Sequence, residues 1–272
     1  GMSVFIFIGI VGHYSNGFLL LLTEQQRENE TNLSIMQNIR YHNIRSGVCH
    51  FNGNDDEFSK FILNWDKRCL ANDKLETKIA LFGDSHAADK ASAFLLNGLN
   101  FTQLGKGGCN LMISNDHNPL CNILINKFIT HLKERENYDF LILSNQFKAN
   151  ELSHDYLQKL VNFWSSYAKK VFIFSPMPEF PKIEQDFIYG GMGAISNMKG
   201  DFSKHQSFFS SLQNVSLPRN TTILNTAEIF CHISNGACEP VVENKFLLVD
   251  YGHLSAYGAE RFGQLSIKLI GQ

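Results

Sequence analysis

The feature that most constrains this chain is a short apolar run that ends in glycine and is followed almost at once by a serine. Four apolar residues lead into Gly83, and Ser85 lies two positions further on. An alanine-rich segment, 87–96, then ends at Asn97 and Gly98, which are typical of a helix stop. The pattern predicts a buried strand that turns sharply into a helix. This turn would present the serine hydroxyl at the helix N-terminus, where the helix dipole favours negative charge on a bound oxygen.

A serine hydroxyl is a weak nucleophile unless a base lies within hydrogen-bond reach and a third group orients that base. Both residue types occur near the other end of the chain, where Asp250 and His253 lie three positions apart around Gly252. One loop can therefore carry both groups. We predict that Asp250 holds one imidazole nitrogen of His253 while the other nitrogen faces Ser85.

Two motifs, Gly-Asp-Ser-His at 83–86 and Asp-x-x-His-Leu-Ser at 250–255, resemble those of the SGNH (GDSL-type) hydrolases. The Gly-Asp-Ser-His-Ala form resembles, more narrowly, the SGNH domains fused to membrane acyltransferases of family three, which O-acylate cell-envelope polysaccharides. The resemblance covers about residues 45–270. It implies an α/β fold of three α/β/α layers, flavodoxin-like, with a mainly parallel sheet of about five strands.

The order of apolar runs along the chain also indicates an α/β fold, because strand-like runs alternate with helical patterns. The region 179–200 is rich in glycine and is expected to be loop-like, and 241–249 is expected to be an extended piece that leads to the Asp250 loop. A terminal helix is expected within 254–270. The five predicted strands are 79–82, 101–104, 138–143, 170–174 and 221–225.

The resemblance also implies an oxyanion hole made by three donors. They are the backbone N–H groups of Ser85 and Gly108, with Gly107 as the second choice for the glycine, and the side-chain amide of Asn145. The sequence departs from the family here, since Leu-Ser-Asn-Gln at 143–146 replaces the usual Gly-x-Asn-Asp. An ordinary turn is the alternative role for Gly108 and for Asn145.

Asp84 and His86 flank the serine and are expected to support it. Asp84 would cap the helix or restrain the turn by accepting backbone N–H bonds. His86 would form a hydrogen bond behind the catalytic residues, contact the substrate, or orient the turn. We predict neither a metal nor a cofactor.

The six cysteines form three pairs that are close in sequence. Six cysteines allow 15 connectivities, so the predicted pairing depends on proximity and on the resemblance to the fused family. A zinc site is the competing interpretation, but the chain has no Cys-x-x-Cys and no histidines at ligand spacing around these cysteines. Disulfides, and hence an oxidising compartment, are therefore favoured. The predicted pairs are Cys49 with Cys69, Cys109 with Cys121, and Cys231 with Cys238.

The chain divides into three parts by composition. Residues 1–22 are apolar around a polar centre, and they are predicted to be either the exit of a membrane helix or an apolar segment docked on the domain. No basic residue precedes this segment, so a secretory signal peptide fits poorly. Residues 23–45 are predicted to be a helical linker, and 46–272 the SGNH catalytic domain.

The resemblance implies acyl transfer through an acyl-serine, from an acyl donor to a glycan acceptor, most specifically the O-acetylation of a cell-envelope polysaccharide. The domain would then be periplasmic or otherwise extracytoplasmic, and tethered to an upstream membrane domain. Two other functions stay open, namely a stand-alone carbohydrate or lipid esterase and a non-catalytic glycan-binding module. The net charge of −2 and the scattered basic residues argue against a nucleic-acid partner.

Overall fold

The structure is a computed structural model that describes residues 22–71, 77–113, 118–135, 138–233 and 238–271. The segment predicted to be a membrane-helix exit or a docked apolar segment therefore lies, apart from its last residue, outside the described residues. None of the helices in the described ranges is both long and apolar enough to cross a membrane. The strands are β1 (His50–Phe51), β2 (Ile79–Gly83), β3 (Thr102–Lys106), β4 (Phe140–Ser144), β5 (Lys170–Phe174), β6 (Thr221–Leu224), β7 (Val241–Val242) and β8 (Lys245–Phe246). The α-helices are α1 (Glu24–Asn43), α2 (Asp55–Asn64), α3 (Ser85–Leu96), α4 (Pro119–Glu134), α5 (His154–Trp164), α6 (Ile183–Ile195), α7 (Ser203–Leu212), α8 (Thr226–Ile233) and α9 (Ala256–Ile270).

The central sheet has six strands in the order β1-β3-β2-β4-β5-β6, and every pairing in it is parallel. Without the edge strand β1, the order is that of flavodoxin-like sheets. The predicted fold class is thus confirmed. From β2 the chain first adds β3 on one side and later β4 on the other, so the topological switch point lies at the carboxyl end of β2. In open α/β sheets, ligands bind at such a point.

Alternate residues of β2 enter two separate cores, one on each face of the sheet. Ile79 and Leu81 pack with α1, α3 and α9, whereas Ala80 and Phe82 pack with α2, α4 and α5. Both faces are therefore covered by helices, which is why β2, β4 and β5 carry continuous apolar runs, at 79–82, 140–143 and 171–174.

Among the strands, two elements differ from the sequence-based predictions. The strand β1 was not predicted; it is only two residues long and pairs with β3, at Gly105 and Lys106. The extended piece expected at 241–249 is a small antiparallel hairpin, in which β7 pairs with β8.

The region 179–200, predicted to be a loop, contains the helix α6. That helix is interrupted at Gly191, whose φ of 65° and ψ of −162° are not helical. The break deprives the preceding turn of regular i+4 donors, and the Asn29 side chain of α1 donates to the carbonyls of Phe187 and Ile188 at 3.1 and 3.3 Å. A distant contact thus allows a glycine-rich segment to remain largely helical.

The predicted linker 23–45 forms the helix α1, which begins with a capping box between Thr23 and Gln26. The helix packs on the domain through α6, where Gln37 donates to Glu184 at 2.8 Å, and through α3. That it connects to a further domain stays a prediction.

Three disulfides join the cysteines that are neighbours in the sequence. The bonded pairs are Cys49–Cys69, Cys109–Cys121 and Cys231–Cys238. They agree with the pairing that proximity and the family resemblance predicted.

Candidate active site

Ser85 is the first residue of α3, directly after the turn that leaves β2. The turn depends on Gly83, which has a φ of 150° and where an added Cβ would lie 1.9 Å from the carbonyl oxygen of Ser144. Only glycine fits at this position. Because Ser85 begins the helix, its N–H has no acceptor within the helix. The positive end of the helix dipole also lies at this residue.

Asp250 and His253 lie in the loop before α9 and contact each other. The imidazole Nδ1 is 2.9 and 2.8 Å from the two carboxylate oxygens of Asp250. The N–H groups of Gly252 and His253 also donate to this carboxylate, at 3.1 and 2.9 Å. The carboxylate therefore fixes both the loop and the ring.

The other imidazole nitrogen of His253, Nε2, lies 2.8 Å from the hydroxyl oxygen of Ser85. Because Nδ1 faces a carboxylate, it carries the ring proton, and Nε2 is left to accept the proton of the serine hydroxyl. The structure thus brings together the three residues that the two motifs singled out. In such an arrangement, an imidazole can take a proton from the serine as the serine attacks.

The electrostatics of Asp250 favour its ionised form. Burial alone would raise its pKa, but the hydrogen bond from His253, the charge of that ring when it is protonated and the two backbone N–H groups outweigh burial and hold the pKa below its ordinary value. The carboxylate is thus ready to stabilise an imidazolium.

Asp84 makes both of the contacts expected of it. It caps α3 by accepting from the N–H of His86 at 2.9 Å, and it accepts from the N–H of Gln146 at 3.0 Å. The second bond connects the ends of β2 and β4. Burial raises the pKa of Asp84 to about 6, against the effect of these two donors.

His86 supports the site by packing and not by a side-chain hydrogen bond to the described residues. Its ring lies against that of His253, with centroids 4.8 Å apart, and neither ring nitrogen has a hydrogen-bond partner among the described residues. Burial, followed by the charge of His253, lowers the pKa of His86 well below its ordinary value. His86 therefore presents a neutral ring to the base.

The two other residues proposed for the oxyanion hole follow the neighbours of β2. Gly83 pairs with Gly105 on one side and with Ser144 on the other, so the loop of Gly108 and the residue Asn145 both lie at the carboxyl edge beside Ser85. Gly108 has a φ of 71°, and the space at its Cα is open. This conformation favours glycine and leaves access to its backbone.

Asn145 is held by a residue that the sequence did not single out. Its side-chain Nδ2 donates to Glu151 Oε2 at 3.0 Å, and the N–H of Lys148 donates to the same oxygen at 3.1 Å. Glu151 is fully buried. An amide group has two hydrogens, so this bond orients Asn145 and leaves a second donor.

A further set of polar residues near the base also escaped the sequence analysis. Gln146 donates from Nε2 to Tyr251 Oη at 2.9 Å and to Glu179 Oε1 at 3.2 Å, and Lys204 pairs with the same Glu179 oxygen at 2.7 Å. The ring of Tyr251 packs edge-on against His253, with centroids 5.5 Å apart. The only local signal was that Gln146 stands where the family motif Gly-x-Asn-Asp usually has its aspartate.

A parallel α/β sheet that carries a serine, a histidine and an aspartate at its carboxyl edge is typical of SGNH-type hydrolases and esterases. A family model described as the SGNH domain fused to AT3 domains matches residues 48–267. The chain belongs to this family. The family membership predicted from the two motifs is thus confirmed. The three disulfides, together with a family description that places such domains next to AT3 domains, fit an extracytoplasmic domain.

Comparison with curated proteins gave no match. Among solved structures, an acetylxylan esterase of Geobacillus stearothermophilus is similar, with a TM-score of 0.44 and 14% identity over 72% of this chain and 94% of that chain. A protein from Agrobacterium tumefaciens assigned as an arylesterase has a TM-score of 0.43 and 12% identity, over 72% of this chain and 99% of that chain.

Proposed function

We propose that the chain is a serine-dependent acyltransferase that moves an acetyl group onto a cell-envelope polysaccharide. The observation that carries the proposal is the unbroken hydrogen-bond chain from the Ser85 hydroxyl through His253 to Asp250, with contacts of 2.8 Å on both sides of the ring. The chain belongs to a family of SGNH domains described as fused to AT3 domains, and this membership supports a polysaccharide as the acceptor. The disulfides support the extracytoplasmic location.

In the first half of the reaction, Ser85 attacks the carbonyl carbon of an acyl ester. Its proton passes to Nε2 of His253, and a bond forms between Oγ and the acyl carbon. When the bond to the leaving oxygen breaks, that oxygen takes the proton from Nε2. The product is an acyl-serine and a free alcohol.

In the second half, a sugar hydroxyl approaches the acyl-serine and gives its proton to His253. The hydroxyl oxygen bonds to the acyl carbon, the bond to Oγ breaks, and the serine oxygen recovers the proton from Nε2. The same sequence with water in place of the sugar is hydrolysis. The chemistry of the three residues is therefore common to a transferase and an esterase.

Each half passes through a tetrahedral oxyanion, which needs donors at the carboxyl edge of the sheet. We assign the N–H groups of Ser85 and Gly108 and the second amide hydrogen of Asn145 to this role. Glu151 acts through Asn145, because it holds the amide in position.

The first experiment is intact-mass spectrometry of wild type and Ser85→Ala after exposure to p-nitrophenyl acetate and, separately, to a fluorophosphonate. Ser92→Ala is the matched control, since Ser92 is buried in the same helix. We expect one adduct in wild type and in Ser92→Ala, and none in Ser85→Ala.

Adding an acceptor polysaccharide then separates transfer from hydrolysis. Faster release of p-nitrophenol, with acetyl groups on the polysaccharide, supports the transferase. Release that is unchanged by any acceptor identifies an esterase instead. If wild type and Ser85→Ala give the same result with both reagents, the serine mechanism is wrong and a glycan-binding module becomes the better assignment.

A further inference from the structure

One buried carboxylate connects the two motifs of the candidate site. Asp89 lies one helical turn beyond Ser85 on α3, and 1% of it is exposed. Its Oδ1 accepts from Nε of Arg40 at 2.7 Å, and its Oδ2 accepts from the backbone N–H of Leu254 at 3.2 Å. Leu254 directly follows the base His253.

The arginine in this contact comes from α1, outside the residues that the family model matches. Arg40 is 6% exposed, and its Nη2 lies 3.4 Å from the carbonyl oxygen of Ser85. It therefore contacts the nucleophile's own backbone as well as the carboxylate behind it. The helix that carries it is fixed elsewhere through Asn29 and Gln37, which bond to α6.

The contact to Leu254 determines where the histidine loop lies. On the other side of the loop, the N–H of Val249 donates to the carbonyl of His253 at 2.9 Å. On the side that faces α3, the hydrogen bond from Leu254 to Asp89 anchors the loop, and it connects the loop to the helix of Ser85. The separation of 2.8 Å between Ser85 and His253 thus depends on Asp89.

Asp89 can act as this anchor only while its charge is compensated. Arg40 is the cation paired directly with it, and the buried Lys90 interacts with the same charge at longer range. A buried carboxylate that loses its cation must take up a proton or rearrange, because an isolated charge is costly in a protein interior. Either change weakens the bond to Leu254. Arg40 therefore maintains the anchor, even though it does not touch the reacting atoms.

We infer that Arg40 is a positioning residue for the acyl-transfer reaction, and that α1 is part of the catalytic unit. This inference depends on the proposed function, since it concerns the alignment of Ser85 with His253. It follows that the segment entering the SGNH domain and the arrangement of the site are physically coupled. A displacement of α1 would reduce turnover without touching the substrate.

The test compares Arg40→Ala with Arg40→Lys and with Arg27→Ala, an exposed arginine on the same helix. The readouts are the rate of Ser85 labelling by a fluorophosphonate, kcat and KM for p-nitrophenyl acetate, and Tm. We expect Arg40→Ala to lower kcat and the labelling rate by about ten- to a hundredfold, as misalignment of reacting groups does. KM should change by less than about twofold, because the substrate contacts remain.

Chemical rescue separates positioning from a general loss of structure. Added guanidinium ion should restore part of the kcat of Arg40→Ala and have no such effect on Arg27→Ala. Arg40→Lys keeps the charge and should keep more activity than Arg40→Ala. A folded Arg40→Ala with the kcat of wild type would overturn the inference, and so would a fall in kcat that neither guanidinium nor Arg40→Lys reverses.

If Arg40→Ala does not fold, the double variant Arg40→Met/Asp89→Asn takes its place, because it removes both partners of the buried ion pair together. It should fold and still label slowly, since α1 no longer holds the carbonyl of Ser85. Labelling at the wild-type rate would overturn the inference. If wild type is never labelled at Ser85, both the proposed function and this inference are wrong. If wild type is labelled and the variants are labelled at the same rate, only the inference is wrong.

Discussion

Asp84 should stabilise the fold more in mild acid than at neutral pH. Burial raises its pKa to about 6 in the folded chain, whereas the unfolded chain has the ordinary value of 3.8. The folded protein thus keeps a proton on Asp84 over a pH range in which the unfolded chain has lost it. The resulting stabilisation is fully present below the unfolded value and is lost as the pH rises through the folded value.

The size of the effect follows from these two values. The gap between about 6 and 3.8 corresponds to about 3 kcal/mol for complete titration. Between about pH 7.5 and about pH 4.5, linkage gives a gain of about 2 kcal/mol in the free energy of unfolding. The substitution Asp84→Asn removes this titration, and any cost from its changed hydrogen bonds to Gln146 and His86 is the same at both pH values.

The assay is urea unfolding of wild type and Asp84→Asn at these two pH values, with disulfides intact. The stability advantage of wild type should grow by about 2 kcal/mol on acidification. Asp139→Asn is the control. The hydrogen bond from Lys169 holds the pKa of Asp139 below its ordinary value, so this carboxylate is ionised in the folded and the unfolded chain over most of the pH range. The difference in unfolding free energy between wild type and Asp139→Asn should therefore stay nearly constant.

The reasoning fails if the difference between wild type and Asp84→Asn is unchanged by pH, within the roughly 10–15% error of extrapolated unfolding energies. It also fails if the difference shrinks in acid. Either result would mean that Asp84 is ionised in the folded chain near pH 4.5. The two backbone N–H groups would then outweigh burial at this turn.

Three further predictions concern the loop and the disulfides. Asp250→Asn keeps the size of the side chain but removes its charge, so kcat for p-nitrophenyl acetate should fall by about a thousandfold or more, and an activity near wild type would contradict the assigned role. Replacing both Cys49 and Cys69 by alanine opens a loop with a sequence separation of 20 and should lower the urea-unfolding free energy by about 3 kcal/mol. In Gly258→Ala, the new Cβ would lie 2.0 Å from the carbonyl oxygen of Leu247, so Tm and kcat should both fall as α9 moves away from the loop; an unchanged Tm would refute this.

The parts of the molecule that could be predicted are those whose signal is local in sequence. The turn at Ser85 follows from an apolar run, a glycine and a helix-favouring segment that are contiguous in the chain. The loop of Asp250 and His253 is equally local, since the carboxylate contacts a ring only three residues away. The strands β2, β4 and β5 are buried on both faces, and their continuous apolar runs made them evident.

The parts that could not be predicted depend on contacts between distant segments. The glycines in 190–193 argue for a loop when read alone, and the helix α6 persists because Asn29 donates to the carbonyls at its break. Glu151 and Arg40 look like ordinary surface residues in the sequence. Their partners, Asn145 and Asp89, become evident only when the chain is folded.

The first turn of α3 explains why a short motif is not sufficient to build this site. Ser85 lies between two buried carboxylates, Asp84 and Asp89. Each of them accepts a hydrogen bond from the backbone N–H of a different segment of the chain. Asp84 binds the N–H of Gln146 and so joins the nucleophile's turn to the end of β4, next to the assigned oxyanion donor. Asp89 binds the N–H of Leu254 and so joins the same helix to the loop of the base. The nucleophile is therefore aligned with its donors through one carboxylate and with its base through the other, and only the second alignment requires a cation from α1.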